Sequence, residues 1–301
     1  MNKLREVTLK GVIPALITPM TEGGEINFPF LEKQVAYLSQ AGVHGFFVCG
    51  TTGEGAYLTT PEKLAIFKVV REVSGGRQFL CAASLRPSTA MVLEEMFAFE
   101  KLEPDFFVAV TPFYGSVSQD TIAAHYRRIA QNSAVPLILY NIPGCTHNTL
   151  ALDTILKLSS EQNICGIKDS SGNFISFSRG LLSETPPGFS WIQGEDYLDG
   201  PSLLNGSRGM VTGLGNVWIE PYLQMYSASA RGDQDSVRKY QKKINQLYEI
   251  IRTTEGKAIA AVKAGVSCLG RSEKYLRLSE QTLSSEEANR VKAVLDSLEL
   301  L

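Results

Sequence analysis

An alternation constrains this chain more than any other feature. From residue 12 to about residue 230, short apolar runs are separated by longer amphipathic segments. The runs are VIPALIT (12–18), GFFVC (45–49), FLCAAS (79–84), FFVAV (106–110), PLILY (136–140), ICGIK (164–168), SWIQG (190–194) and RGMVTG (208–213). Most are too continuously apolar to have one wet face, so they read as parallel strands covered on both sides. Between the second and third runs, LTTPEKLAIFKVVREV sets Thr60 as N-cap and Pro61 at the first helical position, ahead of an apolar stripe. QDTIAAHYRRIAQN and TLALDTILKLSS repeat the helical pattern. Eight strands alternating with helices predict an α/β fold, a (β/α)8 TIM barrel, which typically needs about 250 residues. A doubly wound open sheet is the runner-up, disfavoured because no G-x-G-x-x-G follows any of the runs.

After residue 230 the strand signals stop. DQDSVRKYQKKINQLYEIIRTT, GKAIAAVKAGVSCLG and SSEEANRVKAVLDSLEL all read as helices. The last opens with a capping box from Ser284 to Glu287 and puts Val291, Val294, Leu295 and Leu298 on one face. The expected organisation is a barrel domain over residues 1–230 and a C-terminal helical extension over 231–301.

Composition narrows the function classes. With 29 basic and 31 acidic residues the formal net charge is −2, so no global basic field attracts nucleic acid or an anionic membrane. The five cysteines (Cys49, Cys81, Cys145, Cys165, Cys268) are odd in number, widely spaced and without a C-x-x-C pair. That argues against a disulfide framework and a structural zinc site. The opening MNKLREVTLKGVIPAL lacks the long apolar core of a signal peptide, and no apolar run approaches the roughly 18 residues of a membrane span. The expectation is a cytoplasmic protein.

In such a barrel the active site lies at the C-terminal ends of the strands. Those ends read Thr18, CGTTGEG (49–55), SLRP (84–87), TPFYG (111–115), YNIPGCTHN (140–148), KDSSGN (168–173), GEDY (194–197) and TGLGN (212–216). They hold hydroxyls, glycines, a tyrosine and a lysine, but no His, Asp and Glu cluster at metal-ligand spacing. With only three histidines in the chain (His44, His125, His147), a metal-dependent hydrolase is disfavoured.

Two readings fit Lys168. It is either a strand-end lysine that reaches solvent or pairs with Asp169, or an amine that attacks a ketone to form a Schiff base. An ordinary lysine amine is neutral in roughly one molecule in a few thousand at pH 7, and burial increases that share. The protonated imine is an electron sink and needs neither metal nor organic cofactor. GTTGEG (50–55) is either a tight β-to-α turn or an anion nest in which backbone N–H groups and the Thr51 and Thr52 hydroxyls hold a carboxylate. It is too short for a Walker A loop. Tyr140 is either packing or the proton shuttle that imine chemistry requires, since no histidine lies at a comparable strand end.

GVIPALITPM, GFFVCGTTGEGAYLT, VTPFYG, YNIPGCT and GIKDSSGN together resemble the dihydrodipicolinate synthase and N-acetylneuraminate lyase family, in order and spacing over essentially the whole chain. The resemblance implies a (β/α)8 barrel, a class I mechanism on pyruvate or another 2-oxo acid, and a homotetramer built as a dimer of dimers. It makes Lys168 the Schiff-base lysine and Tyr140 the proton shuttle. Thr51 and Thr52 become the carboxylate-holding pair, with Thr52 also in the hydroxyl relay. Tyr114 becomes the relay tyrosine inserted across a subunit interface. Ser170, Gly194, Asp196 and Thr212 fall where the lyase branch contacts the distal hydroxyls of its sugar acid.

Two departures bear on the second substrate. The synthase branch carries an arginine two residues after the proline of the tyrosine motif, to grip the carboxylate of aspartate semialdehyde; here Cys145 stands there. A thiol offers no guanidinium fork, and losing such a contact weakens binding by roughly 1.5–3 kcal/mol. Arg86 replaces a usually small residue, so it is either a surface arginine or, like His147, a partner for an anionic group on a different substrate. Tyr197 replaces a lyase-branch glutamate, which disfavours sialic acid itself. The first expectation is therefore an aldolase or lyase that releases pyruvate from a 2-keto-3-deoxy sugar-type acid. The alternatives are 4-hydroxy-tetrahydrodipicolinate synthase, with Arg86 replacing the missing arginine, and a dehydratase using the same imine. A non-catalytic acid-binding paralogue is disfavoured by the intact lysine, tyrosine and threonine pair.

Overall fold

The computed structural model describes residues 7–301. The first six residues of the opening stretch, and of the expected barrel domain, lie outside the described residues. All eight apolar runs form strands: β1 (Gly11–Pro14), β2 (Gly45–Val48), β3 (Phe79–Ser84), β4 (Phe106–Val110), β5 (Leu137–Asn141), β6 (Ile164–Asp169), β7 (Ser190–Gln193) and β8 (Gly209–Thr212). They pair in parallel in the order β1-β8-β7-β6-β5-β4-β3-β2. A parallel bridge between Ala15 and Phe47 joins the two outer strands of that order, with Leu16 N–H donating to the Phe47 carbonyl at 3.1 Å. This is the expected barrel.

The helices α1 (Phe28–Ala41), α2 (Thr60–Ser74), α3 (Thr89–Glu100) and α4 (Gln119–Asn132) alternate with the first strands. Next come α5 (Pro143–Thr146), α6 (Leu152–Ser159), α7 (Phe174–Leu181), α8 (Asp199–Leu204) and α9 (Glu220–Ala230). The chain finishes with α10 (Gln234–Leu247), α11 (Glu249–Arg252), α12 (Ala258–Cys268) and α13 (Ser285–Ser297), which opens on the expected Ser284–Glu287 capping box.

The strands are apolar throughout because both their faces are dry. Alternate residues point opposite ways. Ile13, Phe47, Cys81, Val108, Ile138 and Val211 fill the barrel interior, while Phe46, Leu80, Phe107 and Leu139 face the helices. The filled interior leaves room for a ligand only above the uppermost side chains.

Three local expectations shift. The first strand ends at Pro14, not residue 18, because Asn216 takes over the ladder: its amide donates to the Ala15 carbonyl (2.8 Å) and its oxygen accepts from Ile17 N–H (3.2 Å). Thr18 is therefore a buried loop residue whose hydroxyl donates to the Gly53 carbonyl (2.7 Å). The N-cap of α2 is Thr59, one residue before Thr60, in a capping box with Glu62. Finally, β6 carries an irregularity: Leu137 aligns with Ile164 but Ile138 aligns with Gly166, so Cys165 is an extra residue. A one-residue insertion flips the facing of all that follows. That flip makes Lys168 the register partner of inward-facing Tyr140.

Candidate active site

A cavity of about 220 Å³ opens where the strands end, lined by Thr51, Thr52, Tyr140, Lys168, Ser170, Gly194, Glu195 and Asp196 among others. Its far wall comes from the C-terminal helices, through Tyr248, Ile251, Ile259 and Val262. A larger groove of about 570 Å³ lies near the opposite end of the barrel, but its arginine, Arg127, is already paired with Glu161 at 2.6 Å.

Lys168 is 4% exposed. Its Nζ sits 4.1 Å from the ring centroid of Tyr140 and 4.2 Å from that of Phe47. The two rings meet edge to face at 5.6 Å, so the amine lies in an aromatic corner, where cation–π attraction supports it. It does not pair with Asp169. That carboxylate accepts from the Asn141 amide (3.1 Å) and Ser171 N–H (2.9 Å), and burial raises its pKa. Gly194 keeps the end of β7 close: a Cβ there would sit 2.2 Å from Ser170 Oγ and 3.0 Å from Lys168 Cε. It lines the cavity, and Ser170 donates to its carbonyl at 3.2 Å.

Tyr140 is buried, and its hydroxyl hydrogen-bonds the Thr51 hydroxyl at 3.2 Å. The hydroxyl that meets Tyr140 is thus that of Thr51, and not that of Thr52. Successive residues of the turn point to different sides, and Thr52 Oγ1 instead lies against Gly213, whose added Cβ would be 3.1 Å away. The turn is tightly wound, since a Cβ on Gly55 would lie 1.8 Å from the Cys49 carbonyl oxygen.

At the other end of the cavity Asp196 Oδ1 accepts from Thr212 Oγ1 (2.5 Å) and from the Tyr222 hydroxyl (2.6 Å). Burial raises the Asp196 pKa, opposed by those hydrogen bonds and by the charge of Lys168. The Thr212 hydroxyl also accepts from Gly215 N–H (2.9 Å), so it orients Asp196 and is not part of the cavity lining. Glu195 sits beside Asp196, its pKa raised by burial and by that neighbouring charge.

The remaining expected site residues lie apart. Arg86 reaches Glu95 (2.8 Å), the Leu58 carbonyl (3.2 Å) and the Thr60 hydroxyl (3.4 Å), so its guanidinium is committed away from the cavity. Lys63 holds the second oxygen of Glu95 at 2.9 Å, which makes this a structural cluster of charges. Cys145 and His147 are exposed on α5 and at its C-cap, outside the cavity lining. Burial nonetheless raises the Cys145 thiol pKa, against the pull of Lys168. Tyr114 is fully exposed on a left-handed backbone (φ 83°).

Sequence reasoning missed Phe47, Glu195, Tyr222 and the α11–α12 wall. Phe47 was discoverable from the parity of its strand; the others depend on contacts between distant segments. Among the described residues no group of three or more His, Cys, Asp or Glu side chains is arranged to hold a metal ion.

The model of the dihydrodipicolinate synthetase family matches residues 8–298. A 4-hydroxy-tetrahydrodipicolinate synthase of Neisseria meningitidis serogroup C is 32% identical over 287 residues, covering 95% of this chain and 98% of its own. Among solved structures, dihydrodipicolinate synthase from Aquifex aeolicus superposes with a TM-score of 0.91 at 29% identity, over 97% of this chain and 99% of that one. The chloride-inhibited dihydrodipicolinate synthase from Acinetobacter baumannii, complexed with pyruvate, gives 0.92 at 26% identity over 98% and 100%. With a buried lysine and tyrosine side by side above a filled barrel, and with these matches along its length, the chain belongs to the dihydrodipicolinate synthetase family.

Proposed function

We propose that this chain joins Lys168 to pyruvate as a Schiff base and uses it to make or break a carbon–carbon bond. The observation that carries this reading is the buried Lys168 amine beside Tyr140, whose hydroxyl is bonded to Thr51. The amine attacks the pyruvate ketone and water leaves, giving an iminium. Loss of a methyl proton gives an enamine, whose carbon adds to an aldehyde. Tyr140 delivers the proton to the new alkoxide, and in cleavage it removes that proton. The Thr51–Thr52 turn holds the pyruvyl carboxylate. The imine itself is the electron sink, so no metal or organic cofactor takes part.

The curated relatives favour the synthase reading over the sugar-acid lyase reading, so aspartate semialdehyde is the first aldehyde to test. One observation favours the lyase as a second reading. The distal end of the cavity carries Glu195 and Asp196, and Arg86 is bound to Glu95, so a polyhydroxylated aldehyde suits that end better than a carboxylate. We further propose a cytoplasmic homotetramer. Among the described residues no helix is long and apolar enough to cross a membrane, and Tyr114 is free to meet another subunit.

Borohydride added with pyruvate should leave a stable covalent adduct on Lys168, found by peptide mass. No adduct would overturn the reading. Turnover of aspartate semialdehyde, set against pyruvate release from 2-keto-3-deoxy sugar acids, then decides the aldehyde.

A further inference from the structure

The turn that carries Thr51 and Thr52 ends in a side chain that points away from the cavity. Glu54 has a left-handed backbone (φ 56°), which glycine or asparagine adopts more readily. Its carboxylate is buried. Oε1 accepts from Lys263 Nζ, and Oε2 accepts from Arg277 N–H at 2.8 Å. Lys263 is itself fully buried on α12 and donates also to the Tyr275 carbonyl (2.8 Å). Burial lowers its pKa while the Glu54 charge opposes the shift.

A buried ion pair is a weak source of stability, because desolvating both charges offsets their attraction. What it supplies is a fixed geometry, and here that geometry couples two parts of the site. On one side, Glu54 N–H donates to the Thr51 carbonyl (3.0 Å) and Gly55 N–H to the Gly50 carbonyl (3.0 Å), so the turn moves with Glu54. On the other side, Lys263 follows Val262, which with Ile259 walls the cavity. The charges that meet are 209 residues apart in sequence.

We propose that Glu54 and Lys263 are positioning residues that clamp the Thr51–Thr52 turn to α12, so that the carboxylate nest and the far wall are held at one spacing. The clamp sets affinity for the carboxylate of the 2-oxo acid and leaves the imine chemistry alone. It rests on the reading that this turn holds the pyruvyl carboxylate.

The test uses the full chain with both charges replaced at once, Glu54→Gln with Lys263→Met, since either single change leaves a buried unpaired charge. Borohydride trapping is followed by intact mass across pyruvate concentrations. The double variant should melt within a few degrees of the wild type and reach the same maximal trapping rate. Its half-saturating pyruvate concentration should rise about ten-fold or more, as a misplaced binding group implies. Should this variant melt far below the wild type, the amide pair Glu54→Gln with Lys263→Gln serves the same comparison. A reduced maximal rate at unchanged half-saturation, or no change in either, would overturn the clamp. A wild type that pyruvate does not trap at all would overturn the underlying reading, and the clamp with it.

Discussion

Arg86 follows β3, and its guanidinium is held by Glu95, outside the cavity lining. Its place after β3 suggested a cation for the substrate, yet Glu95 takes it, together with Lys63. Removing Arg86 leaves the Lys63–Glu95 pair intact but strips a charge-assisted bond from a buried carboxylate. Arg86→Ala should therefore cost about 1–3 kcal/mol in denaturant unfolding, with the pyruvate and aldehyde KM values unchanged. A collapse of aspartate semialdehyde turnover at unaltered stability would instead put the guanidinium on the substrate. Asp199 is a different case. Both its carboxylate oxygens are buried without a hydrogen-bond partner among the described residues, and burial, then the charges of Asp196 and Glu195, raise its pKa well above the ordinary range. The folded state thus holds a proton that the unfolded state releases. Between the unfolded pKa and the raised folded one, stability falls as pH rises. Asp199→Asn should stabilise the fold at pH 8 by about 1–3 kcal/mol of recovered desolvation, read by denaturant unfolding, and far less near pH 4. An equal gain at both pH values would contradict this account.

At the scale of the element, the decisive feature is the irregularity in β6. The eight strands were legible because runs dry on both faces are apolar throughout, and eight such runs separated by helices leave few architectures. Lys168 and Tyr140 were legible because both end such runs. Their shared facing was not, because the extra residue at Cys165 is a property of the pair β5–β6 and not of either strand alone. The same logic explains the smaller misses. Thr59 and Thr60 are both competent caps, and only the bond from Glu62 N–H to the Thr59 hydroxyl chooses between them. Thr51 and Thr52 are both competent donors, and only the fold says which meets Tyr140. If the extra residue aims the nucleophile, deleting Cys165 should turn the Lys168 side chain toward the helices and abolish borohydride trapping. Cys165→Ala keeps the residue count, and so should trap pyruvate as the wild type does. Loss of trapping in both variants would assign the effect to the thiol.

For the molecule as a whole, the question is what completes the site beyond a single chain. One chain supplies the proposed nucleophile, the proposed shuttle and nest, and a wall contributed by α11 and α12. Tyr114 is outside that cavity's lining and stands fully exposed on a left-handed backbone. A second surface is also unexplained within one chain: Ile175 and Leu182, seven residues apart on α7 and its C-cap, are 77% and 80% exposed. Residues so spaced share a helix face, and α7 follows directly on the strand that carries Lys168. We assign these to two different contacts of the proposed homotetramer, with two different consequences. Glutamates at Ile175 and Leu182 would have to be desolvated in an apolar contact, at a cost of several kcal/mol per charge. The double substitution Ile175→Glu with Leu182→Glu should therefore reduce the mass found by sedimentation velocity from four chains to two, while pyruvate trapping persists. Tyr114→Phe should leave the mass unchanged and lower turnover, because it removes the hydroxyl and keeps the ring. A double variant that sediments as the wild type would remove α7 from the assembly. A Tyr114→Phe variant with full turnover would remove the subunit neighbour from the chemistry.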